Sequence, residues 1–226
     1  MKKCTFPLLR MFMFVGMLPI LQGSLSSCTP EQEEVDSHEA VDLGLSVKWA
    51  SCTVGANSPE DYGGYYAWGE TEKKGNYDWG TYKYRDDKDG DGVFDFGDGY
   101  QNIGFNISGT SYDVAHVKWG DGWRMPTLDE INELCEKCSR QWITVNGVSG
   151  QMVTGPNGNS IFLPATGEIY GTDVEYRGLV GIYRSGMLYE ARNSEAYCIC
   201  FDIDGLDWGS YVEFRDYGFT VRPVKD

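Results

Sequence analysis

The amino-acid sequence predicts an α+β fold in which antiparallel β-hairpins carry one main helix and one short helix. Three observations support this prediction. The chain holds 29 glycines and is 14% aromatic, a composition typical of turn-rich β proteins. Short apolar segments separated by turn sequences fill its second half. One segment, at about residues 127–138, has the period and the capping residues of an amphipathic helix.

The N-terminal segment has the features of an exported lipoprotein. Three basic residues flank the start of an apolar stretch over residues 11–21, which is shorter than the roughly 20 apolar residues of a membrane-spanning helix. Its length is typical of a signal peptide. Residues 25–28 (Leu-Ser-Ser-Cys) resemble a bacterial lipobox, which implies cleavage before Cys28 and a lipid on its sulfur. We therefore expect a signal peptide at 1–27 and an outer-membrane protein that touches the membrane only through this lipid, with an ordinary signal peptide as the alternative.

The residues after Cys28 are acidic and have no apolar periodicity. We expect residues 28–40 to be a solvated tether. Acidic residues at this place resemble the surface-export signal of Bacteroidetes lipoproteins, and a generic acidic linker is equally compatible. Three of the 19 basic residues and none of the 34 acidic ones lie in 1–27, so the mature chain has a formal charge of −18. This balance argues against nucleic acid as a partner. Residues 41–226 suit a single domain.

The predicted elements follow in chain order. Alternation around Trp49 predicts a strand at 43–52, and a short helix is expected at about 112–118. The main helix should begin at Thr127, because Thr127 and Glu130 have the spacing of a capping box. The Asn146-Gly147 pair predicts a tight hairpin turn. The remaining strands are expected at 64–68, 142–146, 151–154, 161–163, 167–170, 179–183, 186–190, 196–203, 211–214 and 219–224.

An acidic loop over residues 87–98 has the spacing of a calcium-binding loop. Calcium takes six to eight oxygen ligands, so alternating carboxylates around a glycine turn suit it. Position 12 is aspartate rather than glutamate, and the sequence predicts no flanking helix. The expected role of calcium is structural, and a solvated acidic loop is the alternative. The expected ligands are the side chains of Asp87, Asp89, Asp91, Asp95 and Asp98 and the carbonyl oxygen of Val93.

Aromatic, arginine and amide side chains gather in the last quarter of the chain, in polar and turn-rich context. Such side chains form rigid recognition surfaces at low entropic cost. The alternative is a set of scattered solvated residues. Catalysis has little support, since the chain holds two histidines and no nucleophile elbow or metal-binding histidine pair. We therefore predict a protein that is not an enzyme, with a ligand-binding surface at Tyr183, Arg184, Tyr189, Arg192, Asn193, Asp207, Trp208 and Tyr211.

Five cysteines remain after Cys28: Cys52, Cys135, Cys138, Cys198 and Cys200. An oxidising envelope favours disulfides. A zinc site formed by the last four is one possibility. Small buried apolar residues together with one disulfide are the favoured alternative.

Five blocks in the same order resemble the Fibrobacter succinogenes major paralogous domain of Bacteroidetes surface lipoproteins. The blocks are VDLGLSVKWA (41–50), GYYAWGE (64–70), GWRMPT (122–127), VTGPNGNSIFLPATG (153–167) and GFTVRPV (218–224). The resemblance covers nearly all of 41–226. It implies a C-type-lectin-like fold, related to the formylglycine-generating enzymes, in which the first strand pairs with the strand at 220–224. It also implies a Cys52–Cys138 disulfide, which would close a loop of 86 residues and stabilise the fold by about 4 kcal/mol.

One departure from the family pattern concerns Gly181-Ile182-Tyr183-Arg184-Ser185, where an arginine stands in place of a tryptophan or serine. The lectin-like relatives carry their recognition surface in this half of the chain. The expected function is a lipid-anchored cell-surface module that binds a glycan or a protein. The alternatives are an accessory or tip subunit of a fimbria-like assembly and a formylglycine-generating type of enzyme using Cys198 and Cys200.

Overall fold

A computed structural model describes residues 39–95, 97–120 and 122–226. The expected signal peptide, the lipidation site Cys28 and nearly all of the tether lie outside the described residues. Within the described ranges, no helix has the length and apolar character needed to cross a membrane.

The described chain is mostly antiparallel β-sheet with two α-helices, which confirms the predicted α+β class. All pairings between its strands are antiparallel. In chain order the elements are β1 (Ala40–Val41), β2 (Lys48–Ala50), a 3-10 helix (Trp79–Thr81), β3 (Arg85–Asp86), β4 (Gly99–Tyr100), α1 (Val114–Trp119), α2 (Leu128–Lys137), β5 (Ser139–Val145), β6 (Val148–Thr154), β7 (Ser160–Pro164), β8 (Glu168–Tyr170), β9 (Asp173–Glu175), β10 (Val180–Leu188), β11 (Glu195–Asp202), β12 (Trp208–Phe214) and β13 (Val224–Lys225).

The two ends of the described chain meet in one sheet of order β1-β2-β13. Trp49 in β2 lies opposite Val41 on one side and Val224 on the other. The predicted pairing of the first strand with the C-terminal segment is therefore confirmed. The paired strands are shorter than expected, because residues 219–223 contact neighbouring segments through isolated bridges and side chains.

Helix α2 begins as the sequence predicts. The Thr127 hydroxyl accepts from the Glu130 amide at 3.4 Å, and a Glu130 carboxylate oxygen accepts from the Thr127 amide at 2.8 Å. Arg124 adds an ion pair to Glu130 at 2.6 Å. Ile131 and Leu134 are fully buried, so the helix covers the sheets with its apolar face.

The central core joins α2 to three sheets. It contains Trp49 from β2, Leu163 from β7 and Phe201 from β11, together with the buried face of α2. The β5-β6 hairpin turns at Asn146-Gly147, where φ is 49° and 86°. These positive values are those of the hairpin turn that the sequence predicts.

Three further predicted strands differ in the structure. The expected strand at 64–68 is reduced to one bridge between Tyr66 and Phe219. The two expected strands at 179–183 and 186–190 are one strand, β10, with an irregularity between Arg184 and Leu188 in its pairing with β11. Pairing with a long neighbour keeps this segment continuous, although its apolar pattern is interrupted.

The Cys52–Cys138 disulfide implied by the family resemblance is not formed, since both residues are free thiols. Cys138 caps the end of α2 and packs against the central core. Cys52 is buried where the first strand ends. Each thiol therefore fills apolar space in its own surroundings, and burial raises the pKa of Cys138.

The four-cysteine zinc alternative has no geometric support in the described chain. Cys135 and Cys138 pack on the central core, whereas Cys198 and Cys200 belong to a separate cluster around Ile182. Among the residues that the structure describes, the aspartates of the acidic loop are the group placed to share a metal ion. Cys198 is fully buried, and burial raises its thiol pKa.

Candidate functional site

An open groove of about 390 Å³ lies where the acidic loop meets the end of the β11-β12 hairpin. We call it the aromatic groove. Its volume lies within the range of small-ligand sites. Its lining side chains are mostly aromatic, with one buried carboxylate: Trp79, Phe94, Tyr100, Tyr170, Ser194, Phe214, Asp216 and Tyr217.

The first ring cluster of this groove consists of Trp79, Phe94 and Tyr100. Phe94 meets Trp79 edge to face at a centroid distance of 5.2 Å, and it lies 6.5 Å from Tyr100. The Trp79 indole nitrogen donates to the carbonyl oxygen of Gly99 at 3.2 Å, which fixes its ring. Phe94 remains 58% exposed. An exposed phenylalanine held on two other rings is available for a ligand.

The second ring cluster consists of Tyr170, Phe214 and Tyr217. The Tyr170 and Tyr217 centroids are 4.7 Å apart, and Phe214 lies 5.5 Å from Tyr217. Tyr170 stands at the end of β8 and is 53% exposed. Burial and the neighbouring Tyr170 raise the pKa of Tyr217 to about 12. Its phenol therefore keeps its proton at neutral pH and can donate.

Asp216 supplies the buried polar group of the groove. It is 4% exposed, and one of its carboxylate oxygens accepts from the Tyr100 phenol at 2.9 Å. Burial raises the pKa of Asp216, and the bond from Tyr100 opposes this shift. The second carboxylate oxygen leaves acceptor capacity for a ligand hydroxyl.

The acidic loop packs directly beside the aromatic groove. A side chain at Gly80, in the 3-10 helix, would place its Cβ 2.6 Å from the carbonyl oxygen of Gly92. Asp87 accepts from the Gly90 and Gly92 amides at 2.7 and 3.0 Å. Since Phe94 lies in this loop, the conformation of the loop decides where one ring of the groove stands.

The predicted calcium ligands converge in part. One carboxylate oxygen from each of Asp87, Asp89 and Asp91 lies within 4.8 Å of the others. Loss of hydration, followed by the charges of the neighbouring carboxylates, raises the pKa of Asp95, although Asp95 lies outside this group of three. Asp98 instead uses its two oxygens to accept from the amides of Lys88 and Asp95. These oxygen donors fit a hard cation such as calcium.

Three of the residues predicted to bind a ligand are buried, and this part of the prediction is wrong. Tyr183 is 0%, Arg184 1% and Tyr211 6% exposed. Arg184 donates to the carbonyl oxygens of Glu213, Phe214 and Tyr217 and stacks 4.2 Å from the Phe219 ring. It therefore holds the β12 end from inside, because this part of β10 is buried on both of its faces.

The other predicted residues lie at two separate ends of the β11-β12 hairpin. Trp208 is paired with Phe201 at one end, and its indole donates to the Cys135 carbonyl at 3.1 Å. Asp207 precedes it there. Tyr189, Arg192 and Asn193 belong to the other end, where Glu195 pairs with Phe214. Six residues of strand separate these ends by about 20 Å, so the predicted set does not form one surface.

Sequence reasoning missed the residues of the aromatic groove. They come from six segments between Trp79 and Tyr217, and seven of the eight lie outside residues 183–211, which hold all the predicted binding residues. The available signal was the aromatic and glycine-rich composition of residues 69–111, which has little regular pattern. Such a segment marks a functional loop but does not specify which rings meet.

Glu168 lies in β8, two residues before Tyr170 of the aromatic groove, and its pKa is raised. It pairs across the strands with Glu175. Burial, followed by the charges of Glu213 and Glu175, raises the pKa of Glu168 to about 7, and Arg184 opposes this shift. The folded state therefore binds this proton more tightly than the unfolded chain, and the resulting stability is lost as the pH rises from about 4.5 to about 7.

We expect Glu168→Gln to remove the loss of stability between pH 4.5 and 7, since glutamine is neutral at all pH values. The variant should gain melting temperature relative to the wild type above pH 7 and show little difference near pH 4. Thermal unfolding measured between pH 4 and 8 tests this expectation, with exposed Glu136→Gln as the matched control. Parallel curves for Glu168→Gln and the wild type would contradict it.

No family model, no curated protein and no solved structure matches this chain. Its function must therefore be inferred from the geometry of its own residues.

Proposed function

We propose that this chain is a lipid-anchored protein of the outer-membrane surface that binds a glycan in the aromatic groove. The anchor is the lipid on Cys28, and the domain is C-type-lectin-like and belongs with the Fibrobacter succinogenes major paralogous domain. The observation that carries the glycan assignment is the combination of two ring clusters with the buried Asp216 carboxylate in one open groove.

This combination matches the chemistry of a sugar. A pyranose ring has an apolar C–H face, which packs on aromatic rings, and an equatorial rim of hydroxyls, which donate to carboxylates. Exposed Tyr170 and Phe94 offer the aromatic surface, and Asp216 offers the acceptor. The groove is open rather than enclosed, which suits a residue within a longer chain more than a small free metabolite.

Loss of one exposed ring should lower glycan affinity about five-fold to 150-fold, because a buried aromatic contact contributes roughly 1–3 kcal/mol. Tyr170→Ala and Phe94→Ala each remove a ring from a different cluster, and both side chains are more than half exposed, so the fold should remain intact. The measurement is a glycan-array screen of the purified full-length protein, followed by calorimetry on the best ligand.

Leu206→Ala is the matched control for these variants. Leu206 is 84% exposed and lies at the opposite end of the β11-β12 hairpin. It should leave binding unchanged. Glycan binding that survives both ring substitutions would remove the aromatic groove as the site, and the absence of any glycan ligand would overturn the proposed function.

We further propose that the acidic loop binds a structural calcium through Asp87, Asp89 and Asp91, with the Val93 carbonyl and Asp95 as further ligands. The converging carboxylate oxygens support this assignment. Bound calcium would neutralise these carboxylates and hold the loop, and with it Phe94, in place.

Calcium at about 100 times its dissociation constant should stabilise the protein by about 2.7 kcal/mol, which raises the melting temperature by roughly 5–10 °C. A chelator should reverse the gain, and Asp91→Asn should abolish it. Asp173→Asn changes an exposed aspartate in the β8-β9 hairpin and serves as the control. A melting temperature that is indifferent to millimolar calcium would refute the metal site.

A further inference from the structure

A second groove of about 310 Å³ adjoins the aromatic groove. We call it the polar groove. Consecutive residues link the two: Tyr100 lines the aromatic groove and Gln101 the polar one, and the same holds for Ser194 and Asn193. The third such pair is Asp216 and Arg215. The walls of the two grooves are therefore connected through the backbone at three places.

Arg215 in the wall of the polar groove is 1% exposed and forms no ion pair among the described residues. Its Nε donates to the Tyr82 phenol at 3.0 Å, and its Nη1 donates to the carbonyl oxygens of Gln101 and Asn193 at 3.1 and 3.0 Å. Its Nη2 is buried without a hydrogen-bond partner. A buried guanidinium without a counter-charge is costly.

Aromatic rings compensate part of this cost. The guanidinium carbon lies 4.7 Å from the Trp68 ring and 5.4 Å from each of the Tyr82 and Tyr100 rings. These rings hold the guanidinium in place, but they do not give Nη2 the hydrogen-bond acceptor that it lacks. Arg184 and Arg222 also leave a nitrogen unbonded, but each is held within the core, whereas Arg215 lines a groove.

We propose that the glycan carries a carboxylate, as in a uronic or sialic-type acid residue, and that Arg215 binds it in the polar groove. This inference rests on the proposed glycan-binding function. Binding makes the buried Arg215 Nη2 accessible, and this nitrogen donates to one carboxylate oxygen. The side-chain amides of Gln101, Asn102 and Asn193 line the same groove. A charge-assisted contact in a partly desolvated groove is stronger than a neutral one. The neighbouring sugar residue packs on the rings of the aromatic groove.

The acidic surface of the chain and Glu190, which also lines the polar groove, oppose the approach of an anion. At physiological salt the surface charges act over only about 8 Å. The attraction between Arg215 and the carboxylate must therefore act at short range, within the polar groove. Glu190→Gln removes this repulsion. Because Glu190 is exposed, the substitution leaves the core untouched.

The experiment uses the full-length protein and an array of oligosaccharides that contain uronic or sialic acid residues, each paired with its carboxyl-reduced neutral form. Sulfated oligosaccharides form a third arm. We expect the carboxylated form to bind at least about ten-fold more tightly than its reduced form. Glu190→Gln should increase this preference. Arg215→Gln should abolish the preference.

Arg192→Gln removes the same charge from a neighbouring, half-exposed arginine that lines neither groove, and it should change nothing. If Arg215→Gln unfolds, the reduced ligands and Glu190→Gln still decide the question. Equal binding of the carboxylated and reduced forms would overturn carboxylate recognition by Arg215. A preference for sulfated ligands that Glu190→Gln does not change would do the same. Both outcomes leave the proposed function standing. Binding of no glycan overturns both proposals.

Discussion

Arg222→Met is expected to destabilise the folded protein by about 3–5 kcal/mol, because it leaves four buried or part-buried acceptors without a donor. This loss is a large share of the about 5–15 kcal/mol that stabilises a typical domain. Arg222 is 0% exposed. It donates to the carbonyl oxygens of Ala50, Ser51 and Phe162 and to the hydroxyl of Thr53. Methionine keeps most of the side-chain volume, so the expected loss comes from these hydrogen bonds and not from a cavity.

The position of Arg222 explains the size of this effect. Its acceptors belong to the end of β2, to the segment after it and to β7, and Arg222 itself precedes β13. One guanidinium therefore joins three parts of the chain that are up to 172 residues apart. Its removal leaves buried carbonyl oxygens without donors in the place where both ends of the described chain meet.

Chemical denaturation of Arg222→Met, with Arg140→Met as the control, measures the effect. Arg140 also donates to two carbonyl oxygens, those of Asp207 and Gly205 at 3.2 Å, but it is exposed. Water can replace its bonds, so the control should lose less than about 1 kcal/mol. Arg222→Lys keeps the charge with fewer donors and should fall between the two. A similar free energy of unfolding for both methionine variants would contradict this account.

Asp113→Ala is expected to have the second-largest effect, with a loss of about 3–4 kcal/mol. Asp113 is fully buried and caps α1. Its carboxylate accepts from the amides of Gly109, Ala115, His116 and Met125 at 2.7–3.2 Å. Alanine leaves these buried donors unsatisfied, which adds to the ordinary cost of about 1 kcal/mol for a lost helix cap.

Burial raises the pKa of Asp113, and the four amide bonds oppose this shift. Asp113→Asn tests the contribution of the charge, because asparagine keeps one acceptor oxygen and turns a donor toward an amide. It should lose an intermediate amount of stability. Asp78→Ala provides a control, since Asp78 caps the 3-10 helix through an exposed hydrogen bond from the Thr81 amide. The free energy of unfolding of all three variants decides the matter, and equal losses for Asp113→Ala and Asp78→Ala would refute the prediction.

The helix α2 and the hairpins could be predicted because their determinants are local. Thr127 and Glu130 are three residues apart, and Asn146-Gly147 sets its own turn. Strand β9 pairs with its neighbour β8 across a short turn, but it was not predicted because its three exposed residues carry no apolar pattern. The bridge between Tyr66 and Phe219 was not predictable either, because its two partners lie far apart in the chain.

The same contrast applies to the expected binding residues. Tyr, Trp, Arg and Asn are typical of recognition surfaces, but composition does not tell which side of a strand faces the core. Arg184 and Arg215 belong to the same residue type, and both are 1% exposed. Only the packing around them distinguishes the arginine that holds β12 from the one that lines a groove.

The sequence alone determined the α+β class, the main helix with its cap, the Asn-Gly hairpin and the pairing of the two ends, because these follow from local periodicity and from recognisable blocks. The tertiary structure decided the free thiols, the burial of Tyr183 and Arg184 and the joining of two ring clusters into a groove. These features depend on contacts between distant segments, whose geometry is set by how sheets and loops pack together and not by the order of residues within any one of them.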